Sequence, residues 1–425
     1  MRKRHLVLGF LFLLSIITYV DRVCISVAGP AMQKDLGMDP EQFGLVVGAF
    51  ALAYALFEIP TGAMGDRIGP RRTLSRIVLW WSAFTSLTGA VSNFMVLLVT
   101  RFLFGAGEAG AYPNSSATIS RWFPATERAR AHGVVWMASR VGGAISPWLV
   151  IPIQRAYGWR TSFFVFGILG VFWTIAWFGW FRDNPREKEG VTPEEIDEIG
   201  APAVASHSAM PWGTVLKSAN LWWIMVMYHT YCWGSFFYLS WLHTFLVKGR
   251  GFDNSDVVAY SWLPFAFGGT ANFLGGVVSD KLVKRWGLVW GRRSCAMIGL
   301  GASAVFIALT MFTQDKLLSV LFLALGYAGS DFMLPVAWAV CLDVGRKNAG
   351  AVSGAMNTAG QLGSFLTSVA FGYLVKMFGT YNAPLVPMAA MTAISALLWL
   401  KIDPSIQLIP ETDHAPAAPP KRAAA

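Results

Sequence analysis

Gly65-Asp66-Arg67-Ile68-Gly69-Pro70-Arg71-Arg72 is a short, charged, glycine-punctuated turn between two long apolar runs. A second stretch, Ser279-Asp280-Lys281 closing with Gly291-Arg292-Arg293, repeats the pattern between apolar runs of the second half. An acid followed by bases between helices, once in each half, reads as the mark of a duplicated membrane protein.

Composition agrees. The 425 residues are 55% hydrophobic and 14% charged, with a mean hydropathy of +0.48. A soluble domain carries about 25% charge, so lipid is the expected solvent for most of the chain. Apolar runs fall at 6–29, 42–65, 75–93, 95–118, 131–154, 160–181, 219–246, 256–279, 293–313, 317–341, 349–376 and 384–401. Each is close to the roughly 20 residues that span a bilayer as a helix. The predicted fold is therefore an all-α membrane protein of twelve transmembrane helices in two six-helix bundles. Residues 1–182 form the N-terminal bundle, 183–216 a linker, 217–403 the C-terminal bundle and 404–425 a disordered tail. Within the linker, Thr192-Pro193-Glu194-Glu195 has the chemistry to cap and begin a short surface helix.

The net charge of +10 invites a nucleic-acid reading, but the basic residues gather in short connections and form no separate basic domain. With the N-terminus inside, Arg2, Lys3, Arg4, Arg67, Arg71, Arg72, Arg76, Arg121, Arg128, Arg130, Arg182 and Arg186 share one side. Lys281, Lys284, Arg285, Arg292, Arg293, Arg346, Lys347, Lys421 and Arg422 join them, which predicts both termini cytoplasmic in the inner (plasma) membrane. The basic start mimics a signal peptide, but no small-residue cleavage site ends it, so a retained first helix is expected. Cys24, Cys232, Cys295 and Cys341 lack ligand or framework spacing and read as core residues. No phosphate loop, dinucleotide loop or zinc pattern is present. An enzyme is not expected, nor a cofactor, and an ion gradient is the expected energy source.

Charge within the hydrocarbon is costly and normally faces a bundle interior or an aqueous cavity. Asp21 and Arg22 lie in the first span, Arg101 and Glu108 in the fourth. Seven residues make nearly two helical turns, so Arg101 and Glu108 share a face roughly 10 Å apart. Arg22 and Arg101 offer a two-pronged cationic site for a carboxylate. Asp21 and Glu108 are the candidate proton carriers, since burial favours the protonated carboxyl and a nearby guanidinium the ionised one. An anion that occupies the arginines loosens their hold on the acids, so anion and proton load together. Tyr54 offers a hydroxyl. Glu58, nearer the cytoplasmic end, is expected to pair with a loop arginine at least as readily as to serve transport. In the seventh span His229, Tyr231, Trp233, Tyr238 and His243 present polar edges, each histidine more readily structural than proton-carrying. Asp331 is expensive in the tenth span unless it faces the cavity or bonds a neighbouring helix. Asn357 and Thr358 in the eleventh suit a polyhydroxylated ligand. Asp66, Arg67, Arg71, Arg72, Asp280, Lys281 and Arg292 read as a conformational latch between rocking halves.

Asp21-Arg22, the Gly65–Arg72 turn and Arg101 through Glu108 together resemble the major facilitator superfamily, more narrowly its anion:cation symporter branch of galactonate, glucarate and hexuronate carriers, sialin and vesicular glutamate transporters. The resemblance implies one central site between two bundles, reached from alternate sides. It implies carboxylate coordination by Arg22 and Arg101 with Tyr54 nearby, proton coupling through Asp21 and Glu108, and a substrate-facing Asn357. Ser139 stands near where some sugar-acid carriers place a glutamine, followed here by Arg140, which widens the choice of acid to dicarboxylates. Gln361 departs from the asparagine of many relatives. The expected function is proton-coupled uptake of an organic anion such as an aldonate, aldarate or hexuronate by a monomeric unit in contact with lipid. Import of an aromatic acid or dicarboxylate, and organic-phosphate antiport, are the alternatives. A non-transporting receptor or scaffold is the reading from another class, and would tolerate neutralisation of Glu108.

Overall fold

The computed structural model describes residues 2–199, 215–345 and 349–408; the side chains of residues 59, 63, 66, 67, 120, 125–130, 342 and 349–351 also lie outside the description. Every regular element among the described residues is helical. The first six crossings are α1 (Lys3–Asp35), α2 (Pro40–Ile68), α3 (Pro70–Ala90), α4 (Phe94–Glu108) continued by α5 (Ala111–Trp122), α6 (Ala125–Tyr157) and α7 (Trp159–Trp180). A short helix, α8 (Pro193–Ile199), follows. The second six begin with α9 (Ala219–Ser235), continued by α10 (Phe237–Ser240), α11 (Leu242–Thr244) and a π turn over Phe245–Gly249. Then come α12 (Asn254–Tyr260), α13 (Leu263–Phe312), α14 (Lys316–Gly345), α15 (Ala349–Phe378) and α16 (Leu385–Leu398).

Three local features depart from twelve uninterrupted spans. The fourth is broken at Gly110, whose φ of 87° only glycine adopts without strain; a side chain there would strike Thr61 of α2. The seventh is broken after Ser235, where Trp241 turns to pack between Phe43 and Phe371, with ring centroids 5.0 and 4.6 Å away. The connection read between spans eight and nine is itself helical, so α13 carries both crossings and reverses at Gly287 (φ 77°, ψ 170°). Phe172, Phe273 and Phe312 are 64%, 72% and 83% exposed, a surface tolerable only against lipid. Trp81 and Trp177 are fully buried between helices. The four cysteines are free and buried.

Within the first six crossings α1 packs on α6 and α7, α3 on α4 and α7, and α2 on α4. In the second six α13 packs on α14 and α16, and α9 on α15 and α16. The halves meet where α2 runs along α15 and α6 along α13. On the face away from the N-terminus, Lys376 of α15 holds Glu41 (2.6 Å) and Asp39 (2.9 Å) at the start of α2. Asp39 also caps α2 through the Gln42 amide at 2.8 Å. Lys248 donates to Gln33 at 2.9 Å, and Trp148 to the Val258 carbonyl at 2.8 Å, again across the halves.

Small residues bring α2 and α15 this close. A Cβ on Gly44 would lie 2.5 Å from the Ser368 carbonyl oxygen. Gly44→Leu is therefore expected to wedge this face open. Overpacking costs about 1–3 kcal/mol, so the population open on this face should rise about 5- to 150-fold. The check is the rate at which an impermeant maleimide, added from this face, labels a cysteine placed at Val47.

Of the expected latch residues, Arg71, Asp280 and Arg292 make their contacts within one half in this conformation. Arg71 donates its amide to Asp183 (2.9 Å) and its guanidinium to the Phe178 carbonyl (2.6 Å), inside the first half. Arg292 donates to Asp280 (3.1 Å), Ser279 (2.8 Å) and Asp343 (3.3 Å), inside the second. These contacts brace each bundle, while the ion pairs described between bundles involve Lys376 and Arg140. The side chains of Asp66 and Arg67, residues Arg346 and Lys347, linker residues 200–214 and the tail from 409 lie outside the described residues. Residues 404–408, assigned to the tail by composition, stay with the bundle: Leu408 is buried and donates its amide to the Val344 carbonyl at 3.0 Å.

The linker helix α8 starts as its cap chemistry predicts, Thr192 accepting from the Glu195 amide at 3.3 Å. It is a surface helix docked by one face: Pro193, Glu194, Asp197 and Glu198 are exposed, while Glu195 and Ile199 are buried. Glu195 is buried and accepts the amides of Lys3 (3.1 Å) and Arg4 (2.9 Å), capping α1 from outside. Glu198 pairs with Arg4 at 3.0 Å and also with Arg2.

Candidate substrate and proton site

Halfway along the bundle, α1, α2 and α4 bring the intramembrane charges together. Arg22 donates Nε–H to Oε1 of Glu108 at 2.5 Å, and its Nη2 stands equally close without alignment for a hydrogen bond. Oε2 of Glu108 is buried and unbonded. The Arg22 guanidinium lies among the rings of Tyr54 (5.0 Å), Phe50 (5.2 Å), Tyr19 (5.4 Å) and Tyr112 (6.0 Å). Aromatic faces stabilise a cation without neutralising it.

Arg101 differs from Arg22 in one respect. It is 2% exposed, rests on Phe104 (4.2 Å) and Phe50 (5.5 Å), and has no ion-pair partner among the described residues. Its Nε is buried and unbonded, as are both carboxylate oxygens of Asp21. Arg22 and Arg101 both line a narrow cavity closed by Ile25, Val47 and Phe50 from the first half and by Phe236, Leu239 and Ser240 from the second. The second-half residues were not singled out in the sequence; their signal is the break after Ser235, which turns them toward the first half.

The remaining candidates divide. Tyr54 is buried against Arg22. Asn357 donates to both oxygens of Glu58, at 2.8 and 2.9 Å, joining α15 to α2. Among the described residues Glu58 thus pairs with an amide of the other half and not with a loop arginine. Thr358 Oγ1 and Gln361 Oε1 are buried without partners. Ser139 is fully buried and turns its hydroxyl to the Trp136 carbonyl at 2.6 Å, presenting nothing to the cavity in this conformation. Arg140 is engaged across the halves by Asp331, at 2.8–2.9 Å. His229 Nδ1 lies 3.0 Å from the Ala359 carbonyl, which assigns it the proton. His243 lies 3.1 Å from Ser26 across the halves. Tyr231 is buried beside Tyr228, while Tyr238 donates to the Leu323 carbonyl at 2.9 Å and stacks on Tyr327. Toward the N-terminal face, Tyr112 stacks on Trp136, whose ring lies 5.9 Å from Trp338 of the second half. With Glu58–Asn357, this aromatic contact closes the cavity on that side as the Lys376 contacts close the other.

The family model described as Major Facilitator Superfamily matches residues 11–368, and again 282–423. The chain belongs to the Major Facilitator Superfamily. Its relatives put it in the anion-transporter branch of that superfamily. It is 36% identical over 408 residues to the probable sulfoacetate transporter SauU of Cupriavidus necator, covering 95% of this chain and 94% of that one. It is 31% identical over 399 residues to the hexuronate transporter of Bacillus subtilis, covering 92% of each. The major facilitator fold also appears in the crystal structure of a bacterial homologue of the human lysosomal transporter Spinster, inward-facing and occupied. That structure aligns with a TM-score of 0.75 at 19% identity, over 94% of this chain and 96% of the other.

Proposed function

We propose that the protein is a proton-coupled carrier that takes up a small hydrophilic organic anion by alternating access. The observation that carries this reading is Arg101, a buried guanidinium without an ion-pair partner among the described residues, facing the inter-half cavity beside Arg22. A buried charge is costly unless paired, and the partner this geometry favours is the carboxylate of a ligand. On binding, the anion takes the fork of Arg101 and draws Arg22 away from Glu108. Glu108, already unbonded at Oε2, then accepts a proton, with Asp21 as the second acid of the site. Loading of either ligand favours loading of the other. Asn357, once parted from Glu58, and Tyr54, Thr358 and Gln361 supply hydroxyl and amide partners. Closure over the ligand on one face and release of the Lys376 or Asn357 contacts on the other complete the cycle. The sulfoacetate and hexuronate carriers named above transport small organic acids, which supports the substrate class. One chain encloses the cavity, so a monomer suffices, surrounded by lipid. The basic connections favour a plasma-membrane orientation with the N-terminus cytoplasmic.

The test is uptake into proteoliposomes with an imposed pH gradient, screening sulfoacetate, glucarate, glucuronate, gluconate and an aromatic acid. Accumulation of at least one acid above its external concentration, collapsed by a protonophore, is expected. A folded protein that binds and moves none of them would sink the organic-anion reading.

A further inference from the structure

The pair Arg140–Asp331 repeats, between halves, the device that Arg22–Glu108 forms within one. Arg140 lies on α6 of the first half and Asp331 on α14 of the second, and Asp331 is completely buried. Nη2 of Arg140 donates to Oδ1 at 2.9 Å. Nε stands 2.8 Å from Oδ2 without alignment, leaving both atoms buried and unmade as hydrogen-bonding groups. A native buried group left half-satisfied calls for an explanation. Glycine permits the pairing: a Cβ on Gly268 of α13 would lie 2.7 Å from Asp331 Oδ2, and one on Gly269 would meet Arg140 Cβ at 3.4 Å. The same arginine lies 5.5 Å over the Tyr327 ring. Tyr19, which sits under Arg22, packs against Gly142 two residues along α6 from Arg140. The two cations therefore flank one tyrosine.

Alternating access must move α6 and α14 relative to each other. If Arg140–Asp331 were only a strut, each cycle would leave two bare charges in a low-dielectric interior. A ligand acid that takes the place of Asp331 removes that difficulty on the arginine side. Resting on the anion-carrier reading above, we propose that Arg140 is a second anion-binding arm, that Asp331 occupies it in the absence of substrate, and that the substrate is a small organic dianion. One acidic group of the ligand meets Arg101 and Arg22; the other displaces Asp331 from Arg140. Asp331, released, takes one proton, and Glu108 takes another, so the dianion crosses with two protons and no net charge. The other ionisable groups around the pair are the phenols of Tyr19, Tyr231, Tyr238 and Tyr327.

The experiment compares glucarate with gluconate, which differ only in the second carboxylate, with sulfoacetate as a second dianion, in binding and proteoliposome uptake at neutral pH. Wild type should prefer the dianions by at least about tenfold, and Arg140→Gln should lower their binding about 100-fold, erasing the preference. Asp331→Asn separates a stand-in from a strut: losing a competitor for Arg140 should tighten dianion binding about tenfold, whereas losing a strut should weaken it. The wild-type comparison stands even where a variant fails to fold. Equal handling of glucarate and gluconate by wild type, a preference that survives Arg140→Gln, or weakened binding in folded Asp331→Asn each overturns the dianion inference and leaves the anion-carrier reading intact. Wild type that binds no organic acid instead defeats the anion-carrier reading itself.

Discussion

Replacing Arg101 with leucine is expected to abolish high-affinity substrate binding without lowering the unfolding temperature of the ligand-free protein. Both signs follow from its isolation. Arg101 is buried on Phe50 and Phe104 with no ion-pair partner among the described residues, and its Nε makes no hydrogen bond. A cation held this way is a burden on the empty protein and a docking point for a carboxylate. Losing one partner of a buried, hydrogen-bonded charge pair costs about 2–5 kcal/mol, about 30- to 5,000-fold in affinity. Arg101→Lys keeps the charge but loses the planar fork, so it should retain part of the binding. Thermal unfolding with and without substrate measures both effects together: the ligand-induced rise should vanish in Arg101→Leu while the baseline holds. A lowered baseline with undiminished ligand stabilisation would make Arg101 a packing residue.

Glu108→Gln should remove one proton from the coupling of transport to the pH gradient. In the resting site Glu108 is shared between Arg22 at Oε1 and an unbonded Oε2, so it is poised to exchange one cation for another as Arg22 turns to substrate. Each proton carried per substrate is worth about tenfold accumulation per pH unit of gradient, since one pH unit equals about 1.4 kcal/mol. Glutamine keeps the shape and removes the titration. Net accumulation should therefore fall by at least tenfold per pH unit of imposed gradient, while exchange of labelled for unlabelled substrate across the membrane continues. Accumulation that still rises with the gradient as steeply as in wild type would move this proton to another carboxylate, with Asp21 next in line.

The apolar runs announced the architecture because lipid leaves few choices: a segment of spanning length must satisfy its backbone internally, and a helix does so. The same constraint made Asp21, Arg22, Arg101 and Glu108 visible as a site, since charges placed on two spans in hydrocarbon must find one another or water. Their pairing was not visible. Glu108 engages Arg22, leaving Arg101 alone, and which arginine takes the acid depends on how α1 leans on α4. The contacts between halves were hidden more deeply. Glu58 and Asn357 lie 299 residues apart, Arg140 and Asp331 191, and no local period encodes such a meeting. The break at Gly110 had a local sign in a glycine-dense stretch, and the break after Ser235 follows Gly234; the packing of Trp241 between Phe43 and Phe371 beyond it had no local sign.

The cap that Glu195 places on the amides of Lys3 and Arg4 bears on how the chain is made. Polypeptide leaves the ribosome from the N-terminus at about 5–20 residues per second. The first helix thus enters the membrane with its leading amides bare, and they stay so until residue 195 has emerged, roughly ten to forty seconds later at that pace. By then all six helices of the first half have been synthesised. The acid that finishes the first helix arrives last, so its docking reports that the preceding helices have come together, before most of the second half exists.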